Sequence, residues 1–277
     1  MDINFFSNQY FIFAILMILA ALPAGFLAGL FGIGGGLISV PVLYYVFGAA
    51  GFNNNYLMHI AVGTSFSIIV PTSISSVLTH NKFGAVDFNV VKSFGLFVVI
   101  GVVLGALFAS TLKTQQLVLF FSVIIFLLGL YLIFLKNNEI ESFSEFKLRY
   151  KIIYGLITGF ISGQMGLGGA VMNVPVLKFF GYSINRAIGS AAAIGFLISI
   201  TGVTGFLLIG GYKGVDEPLT IGFINIPALF IFAPITIFMA KIGAKTVHNV
   251  DKKIITRLFG LLNVIVSIIL FFEYLNY

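Results

Sequence analysis

The sequence predicts an all-α polytopic membrane protein made of two inverted-topology repeats. Each repeat is a glycine-tipped hairpin of short helices followed by three transmembrane helices. Three observations predict this. The chain is 59% hydrophobic and only 9% charged, whereas a soluble domain holds roughly 45–50% apolar and about 25% charged residues. So few charges cannot cover a soluble surface. The apolar residues are gathered into long runs. One glycine-rich block occurs twice, as GFLAGLFGIGGGLISVPVL at 25–43 and GFISGQMGLGGAVMNVPVL at 159–177, with ten of nineteen positions identical.

The apolar runs fall at about 10–31, 33–47, 57–79, 88–112, 115–135, 152–165, 168–181, 187–210, 219–247 and 254–275. Lipid cannot satisfy free backbone polar groups, so all of them are expected to be helical. A β-barrel would need alternating polar and apolar residues, and stretches such as FFSVIIFLLGLYLIF at 120–134 do not alternate. The first ten residues carry no Lys or Arg, and the run behind them is too long for a cleaved signal. It reads as the first membrane segment of the mature protein.

Runs 33–47, 152–165 and 168–181 are short, about 21 Å of helix at 1.5 Å per residue, against a hydrocarbon core of about 30 Å. Short helices joined at a glycine cluster suggest a hairpin that dips to mid-membrane and returns. Two tilted full crossings are the alternative, and either way the chain returns to its starting side. The polar segment 136–151 (KNNEIESFSEFKLRYK) reads as a cytoplasmic linker between an N-terminal repeat, 1–135, and a C-terminal repeat, 152–277.

Basic residues orient the spans. With both termini on the non-cytoplasmic side, thirteen of the fifteen Lys and Arg fall at the cytoplasmic face, and only Lys113 and Lys213 lie outside. Three full spans is an odd number, so the second repeat starts on the opposite side from the first. Inverted repeats with interrupted helices are a recurring plan of secondary transporters. The net charge of +6 is thereby assigned to orientation, not to nucleic acid, and the absence of cysteine excludes disulfides.

Glycine lets backbone turn tightly and expose amide groups. The helix after each cluster starts at the tip, so its free N–H groups and positive dipole end point there, as an anion site requires. Gly32, Gly34, Gly35 and Gly36 form the first tip, and Gly166, Gly168 and Gly169 the second. Gln164 (where the first copy has Leu30) and Asn173 (where it has Ser39) can hydrogen-bond an oxyanion. Thr64 and Ser65 open a run with eight Ser or Thr in sixteen residues, 64–79, and Thr64 aligns with Ser190. These three are expected to line the site. Lys178 and Arg186 are expected at the inner vestibule. Close packing through patterns such as Gly25-x-x-x-Gly29 is the competing use of the glycines. His59, His80 and His248 fall at segment ends and read as interfacial, with no metal or cofactor implied.

The paired glycine blocks, the HNKFGAVD loop at 80–87 and GFINIPA at 222–228 resemble the TauE/SafE family of sulfite-exporter-type membrane proteins over about 10–275. The resemblance implies transport of a small sulfur oxyanion such as sulfite, or of an organosulfonate, across the cytoplasmic (inner) membrane. All nine Asp and Glu lie in loops, termini or segment ends, so no buried carboxylate relay is expected. An inside-negative potential drives anions outward by about 2.3 kcal/mol per charge per 100 mV, which leans toward export. A sodium-coupled importer, an intramembrane enzyme and a structural membrane subunit are the alternatives. No nucleophile–base pair points to an enzyme, and the oligomeric state is open.

Overall fold

A computed structural model describes residues 3–31, 35–134, 146–246 and 252–276. In chain order these form α1 (Ile3–Phe31), α2 (Gly36–Ala49), α3 (Leu57–Lys82), α4 (Phe88–Ala109), α5 (Thr114–Phe134), α6 (Leu148–Met165), α7 (Ala170–Phe179) and α8 (Ile184–Tyr212). There follow the strands β1 (Thr220–Ile221) and β2 (Ile224–Asn225), then α9 (Ile226–Thr246) and α10 (Lys252–Leu275). Among the described residues six helices are long and apolar enough to cross a membrane: α1, α3, α4, α5, α8 and α9. The protein is a multi-pass integral membrane protein. The described apolar part of α10, Gly260–Leu275, is shorter than a span.

Three elements differ from the apolar runs. α6 begins at Leu148, inside the segment read as linker. Its first turn is polar but anchored: Lys151 Nζ donates to Ser93 Oγ at 2.9 Å and lies over the Phe146 ring. The long lysine stem can follow apolar surface while its charge reaches a polar partner. α1 is a 29-residue helix, so only its partner α2 is short in the first hairpin. The run 219–247, expected to be helical throughout, opens instead with a β-hairpin. Gly222 at φ +59° turns it, and Thr220 pairs with Asn225 and Ile221 with Ile224. Its second strand is buried, with Gly222 packed against Leu207 and Gly210, while Ile221 of the first strand stays exposed.

Packing pairs the helices across the two halves. α1 lies along α9 as α6 lies along α4; α2 lies on α3 as α7 lies on α8; α3 touches α9 as α8 touches α4. α3 also packs on α8, and α5 on α10. Glycines permit the close approaches. A Cβ at Gly25 or Gly29 would strike the α9 backbone at Thr236 or Ala240, and one at Gly159 or Gly163 would strike the α4 backbone at Val98 or Val102. The small-xxx-small pattern in each block therefore packs helices.

The bundle has two distinct ends. At one, Asn53 N donates to Glu217 Oε1 at 3.0 Å, Thr114 Oγ1 to Asn55 O at 2.9 Å, and Gln115 Nε2 to Tyr274 O at 3.4 Å. At the other, Asp87 N donates to Ser190 Oγ at 2.9 Å and Phe146 stacks on Phe180. Lys113 and Lys213 belong to the first end. Lys82, Lys147, Arg149, Lys151, Lys178 and Arg186 belong to the second.

Candidate functional site

Two glycine turns meet between the middles of α3 and α8. Gly35, at φ +81°, is the N-cap of α2; Gly169, at φ +75°, is the N-cap of α7; Gly166, at φ +63°, ends α6. L-residues rarely adopt such backbone. Gly36 abuts the Gly166 carbonyl and the Ile69 side chain, and Gly169 abuts Ile198. Ile69 and Ile198 lie midway along α3 and α8. Gly32 and Gly34 lie outside the described residues.

The described part of the first tip is bonded to its own neighbours. Ser39 Oγ donates to Gly35 O at 2.9 Å, Ser65 Oγ donates to Gly166 O at 3.0 Å, and the two hydroxyls lie 3.1 Å apart. Ser65 thus ties α3 to the second tip. Each hydroxyl therefore has a carbonyl acceptor and a hydroxyl neighbour.

The second tip is different. Asn173 and Ser162 are fully buried and Gln164 is 1% exposed. Gln164 Nε2 donates to Phe160 O at 3.2 Å, but Gln164 Oε1, Ser162 Oγ and both polar atoms of the Asn173 amide have no protein partner among the described residues. Asn173 Nδ2 lies 2.9 Å from the point a Cβ on Gly169 would occupy, beside the start of α7. Each unmet buried polar group costs about 1–3 kcal/mol. The matching positions of the first copy, Ala28, Leu30 and Ser39, carry no such debt.

Gly168 reaches a small cavity walled by Ala28, Thr72, Ser73, Ser76, Ala192 and Ala240, about 10 Å³, with room for about one water. Thr72 Oγ1 donates to Ile68 O at 2.9 Å and lies 3.1 Å from Thr236 Oγ1; Ser73 Oγ donates to Val70 O at 2.9 Å. Ser76 Oγ has no partner among the described residues. The polar run 64–79 reaches this cavity through Thr72, Ser73 and Ser76.

Thr64 and Ser190 do equivalent things. Thr64 Oγ1 accepts from Asn225 N at 2.9 Å, and Ser190 Oγ accepts from Asp87 N at 2.9 Å. The neighbouring Gly63 and Gly189 abut the carbonyls of Phe223 and Ala85. Each hydroxyl pins the segment that leads into α9 or α4. Asn225 Oδ1 then accepts from Ala228 N at 3.0 Å, and Asp87 Oδ1 from Asn89 N at 3.0 Å and Val90 N at 3.3 Å, so both are side-chain caps.

At the first end the hairpin buries Phe223 completely. Its ring meets Tyr56, His59 and Phe206 at centroid distances of 5.5, 5.2 and 6.0 Å. His59, read from sequence as interfacial, is 1% exposed with Nε2 3.0 Å from Ala109 O; the hairpin covers it. His80 is half-buried near the end of α3, and His248 lies outside the described residues. At the second end Arg186 is exposed and Lys178 half-buried, on either side of the turn at 180–183. Burial, then the Asp87 carboxylate, raises the Tyr182 phenol above its usual pKa, and Arg186 opposes them, which sets these three groups within electrostatic reach.

Comparison with known proteins finds similar membrane proteins. The family described as "Sulfite exporter TauE/SafE" matches residues 17–270. A "probable membrane transporter protein" of Haemophilus influenzae is 31% identical over 264 residues, spanning 95% of this chain and all of the relative. One of Methanocaldococcus jannaschii is 30% identical over 243 residues, 86% of this chain and 88% of the relative. One of Bacillus subtilis is 22% identical over 278 residues, 94% and 97%. No solved structure matches the chain significantly.

Proposed function

The chain belongs to the TauE/SafE family, and on that premise we propose that it is a membrane transporter of a small sulfur-containing anion, sulfite or an organosulfonate, acting as an exporter at the cytoplasmic membrane. The observation that carries the site is the second tip. A helix starts at Gly169 beside an Asn173 amide that is fully buried and has no protein partner among the described residues. Helix N-termini attract anions through free N–H groups and the positive dipole end. The Asn173 Nδ2 donor adds a directed hydrogen bond without a buried cation. Gly35, Gly36, Gly166, Gly168 and Gly169 shape the turn, Gln164 and Asn173 contact the ligand, and Ser65 locks the two tips together.

Several features support an inverted repeat of 1–135 and 152–277. The helix pairings exchange between halves. Thr64 and Ser190 make matching bonds. The basic residues divide between the two ends, and the positive-inside rule then puts both termini outside and the 136–151 segment in the cytoplasm. On that orientation the cavity lies on the cytoplasmic half of α3. Substrate loads from the cell interior, and the membrane potential drives it out. Lys178 and Arg186 gather the anion at the inner mouth. Purified protein in proteoliposomes, loaded with sulfite, methanesulfonate or chloride, tests the reading. Efflux of the sulfur anions above that of chloride is expected, together with thermal stabilisation by the same ligands. Equal rates for all three, or no flux, would overturn it.

A further inference from the structure

The unmet hydrogen-bonding groups divide unevenly between the two tips, and they are not all donors. Between Ser162 and Asn173 four buried side-chain atoms have no protein partner among the described residues: Ser162 Oγ, Gln164 Oε1, Asn173 Oδ1 and Asn173 Nδ2. Two of these, the amide oxygens, can only accept; Nδ2 can only donate; the serine hydroxyl can do either. A fully deprotonated, donor-free anion would satisfy Nδ2 and the helix N-terminus. It would face the amide oxygens with lone pairs and leave them unpaid. Among the described residues the first tip shows no comparable set: Ala28 and Leu30 are apolar, and Ser39 is bonded to Gly35 O and faces Ser65.

We propose that ligand recognition belongs to the second tip alone, and that its ligand is an oxyanion carrying one hydrogen-bond donor. A monoprotonated oxyanion such as hydrogensulfite, or a sulfonate bearing a hydroxyl, fits this description. The anionic oxygens meet the start of α7 and Asn173 Nδ2, and the ligand's O–H is taken by Gln164 Oε1 or Asn173 Oδ1. The first tip is the structural mirror, closed by Ser39 and Ser65 onto Gly166. This rests on the anion-transport reading above, and refines which anion the site selects.

The test compares matched monoanions in the full-length protein. Binding of 2-hydroxyethanesulfonate and ethanesulfonate, which differ by one hydroxyl, is followed by thermal shift and by competition against sulfite flux in proteoliposomes. Wild type is expected to prefer the hydroxyl-bearing ligand by about tenfold, since an unpaired buried acceptor carries a penalty of that order. Sulfite flux, normalised to a pH-independent sulfonate, should fall as rising pH removes the proton of hydrogensulfite. Gln164→Leu, which installs the residue of the first copy, should shrink the preference between the two sulfonates. Asn173→Ser should weaken both ligands, whereas Ser39→Ala at the mirror position should not reproduce either effect. If both sulfonates are bound and carried equally by wild type, and flux is flat in pH, the donor requirement is wrong while anion transport stands. If Ser39→Ala weakens ligands as Asn173→Ser does, the one-sided assignment is wrong. If neither sulfonate nor sulfite is bound or carried, both readings fall together.

Discussion

Gly36→Ala tests whether the two tips touch. In α2 this residue has ordinary helical backbone, so an alanine there strains no torsion. The added methyl would overlap the Gly166 carbonyl oxygen and lie 3.1 Å from its carbon. Carbon atoms rest at about 3.5–4.0 Å, so the tips must part by about half an ångström or more. The obstacle is backbone, which cannot swing aside as the Ile69 side chain can. Overpacking of this kind costs about 1–3 kcal/mol, offset by at most about 1 kcal/mol of helix propensity. The same substitution at Gly48, in the same helix, provides the reference. Its methyl would meet only Leu57 Cδ2 at 3.5 Å, an ordinary contact, so Gly48→Ala should be neutral or slightly stabilising. Thermal unfolding in detergent and flux in proteoliposomes, measured side by side, are expected to show Gly36→Ala less stable than Gly48→Ala by up to about 3 kcal/mol, and slower in flux because the two tips are forced apart. Equal melting and equal flux for the two variants would refute the contact between the tips.

Other expectations follow from the same geometry. Reporter fusions after Asn138 and after Tyr277 should report opposite sides of the membrane; the same side for both would end the inverted-repeat reading. Thr64→Val and Ser190→Ala each strand a backbone N–H, of Asn225 or Asp87, and should cost about 1–3 kcal/mol of stability while ligand-induced stabilisation survives; its loss instead would return these hydroxyls to the site. Phe223→Ala removes a fully buried ring from the aromatic cluster, and should lower stability by about 3–5 kcal/mol, measurable by chemical denaturation. Lys178→Gln combined with Arg186→Gln should raise the half-saturation concentration for cytoplasmic substrate and flatten its salt dependence, because exposed charges are screened over about 8 Å at physiological ionic strength; an unchanged salt slope would leave the pair with a topological role only.

Much of the molecule was set by local sequence. Hydropathy fixes which segments are helices in lipid, because each helix closes its own backbone hydrogen bonds without help from elsewhere in the chain. The doubled glycine block locates both tips for the same reason: Gly35 and Gly169 hold left-handed backbone that few other residues tolerate. The one-copy polar residues Gln164 and Asn173 are also visible on aligning the two blocks. Ser162 opposite Ala28 carries the same signal.

The tertiary structure decided which polar atoms are free. Thr64, Ser65 and Ser190 look like site residues along the chain, yet their partners, Asn225, Gly166 and Asp87, are more than a hundred residues away. No local pattern reveals such a bond, because it depends on which backbone group another segment brings alongside. The hairpin at Thr220–Asn225 was hidden in the same way: its residues are as apolar as those of a span, and only shelter against α3 and α8 lets them leave the helix. His59 is buried for that reason too, beneath a Phe223 that hydropathy would have placed in lipid. Sequence thus determined the membrane helices and the glycine turns, whose energetics are local, but not the Thr220–Asn225 hairpin. Long-range packing decided which buried donors and acceptors were already paired, and so which remain for a ligand.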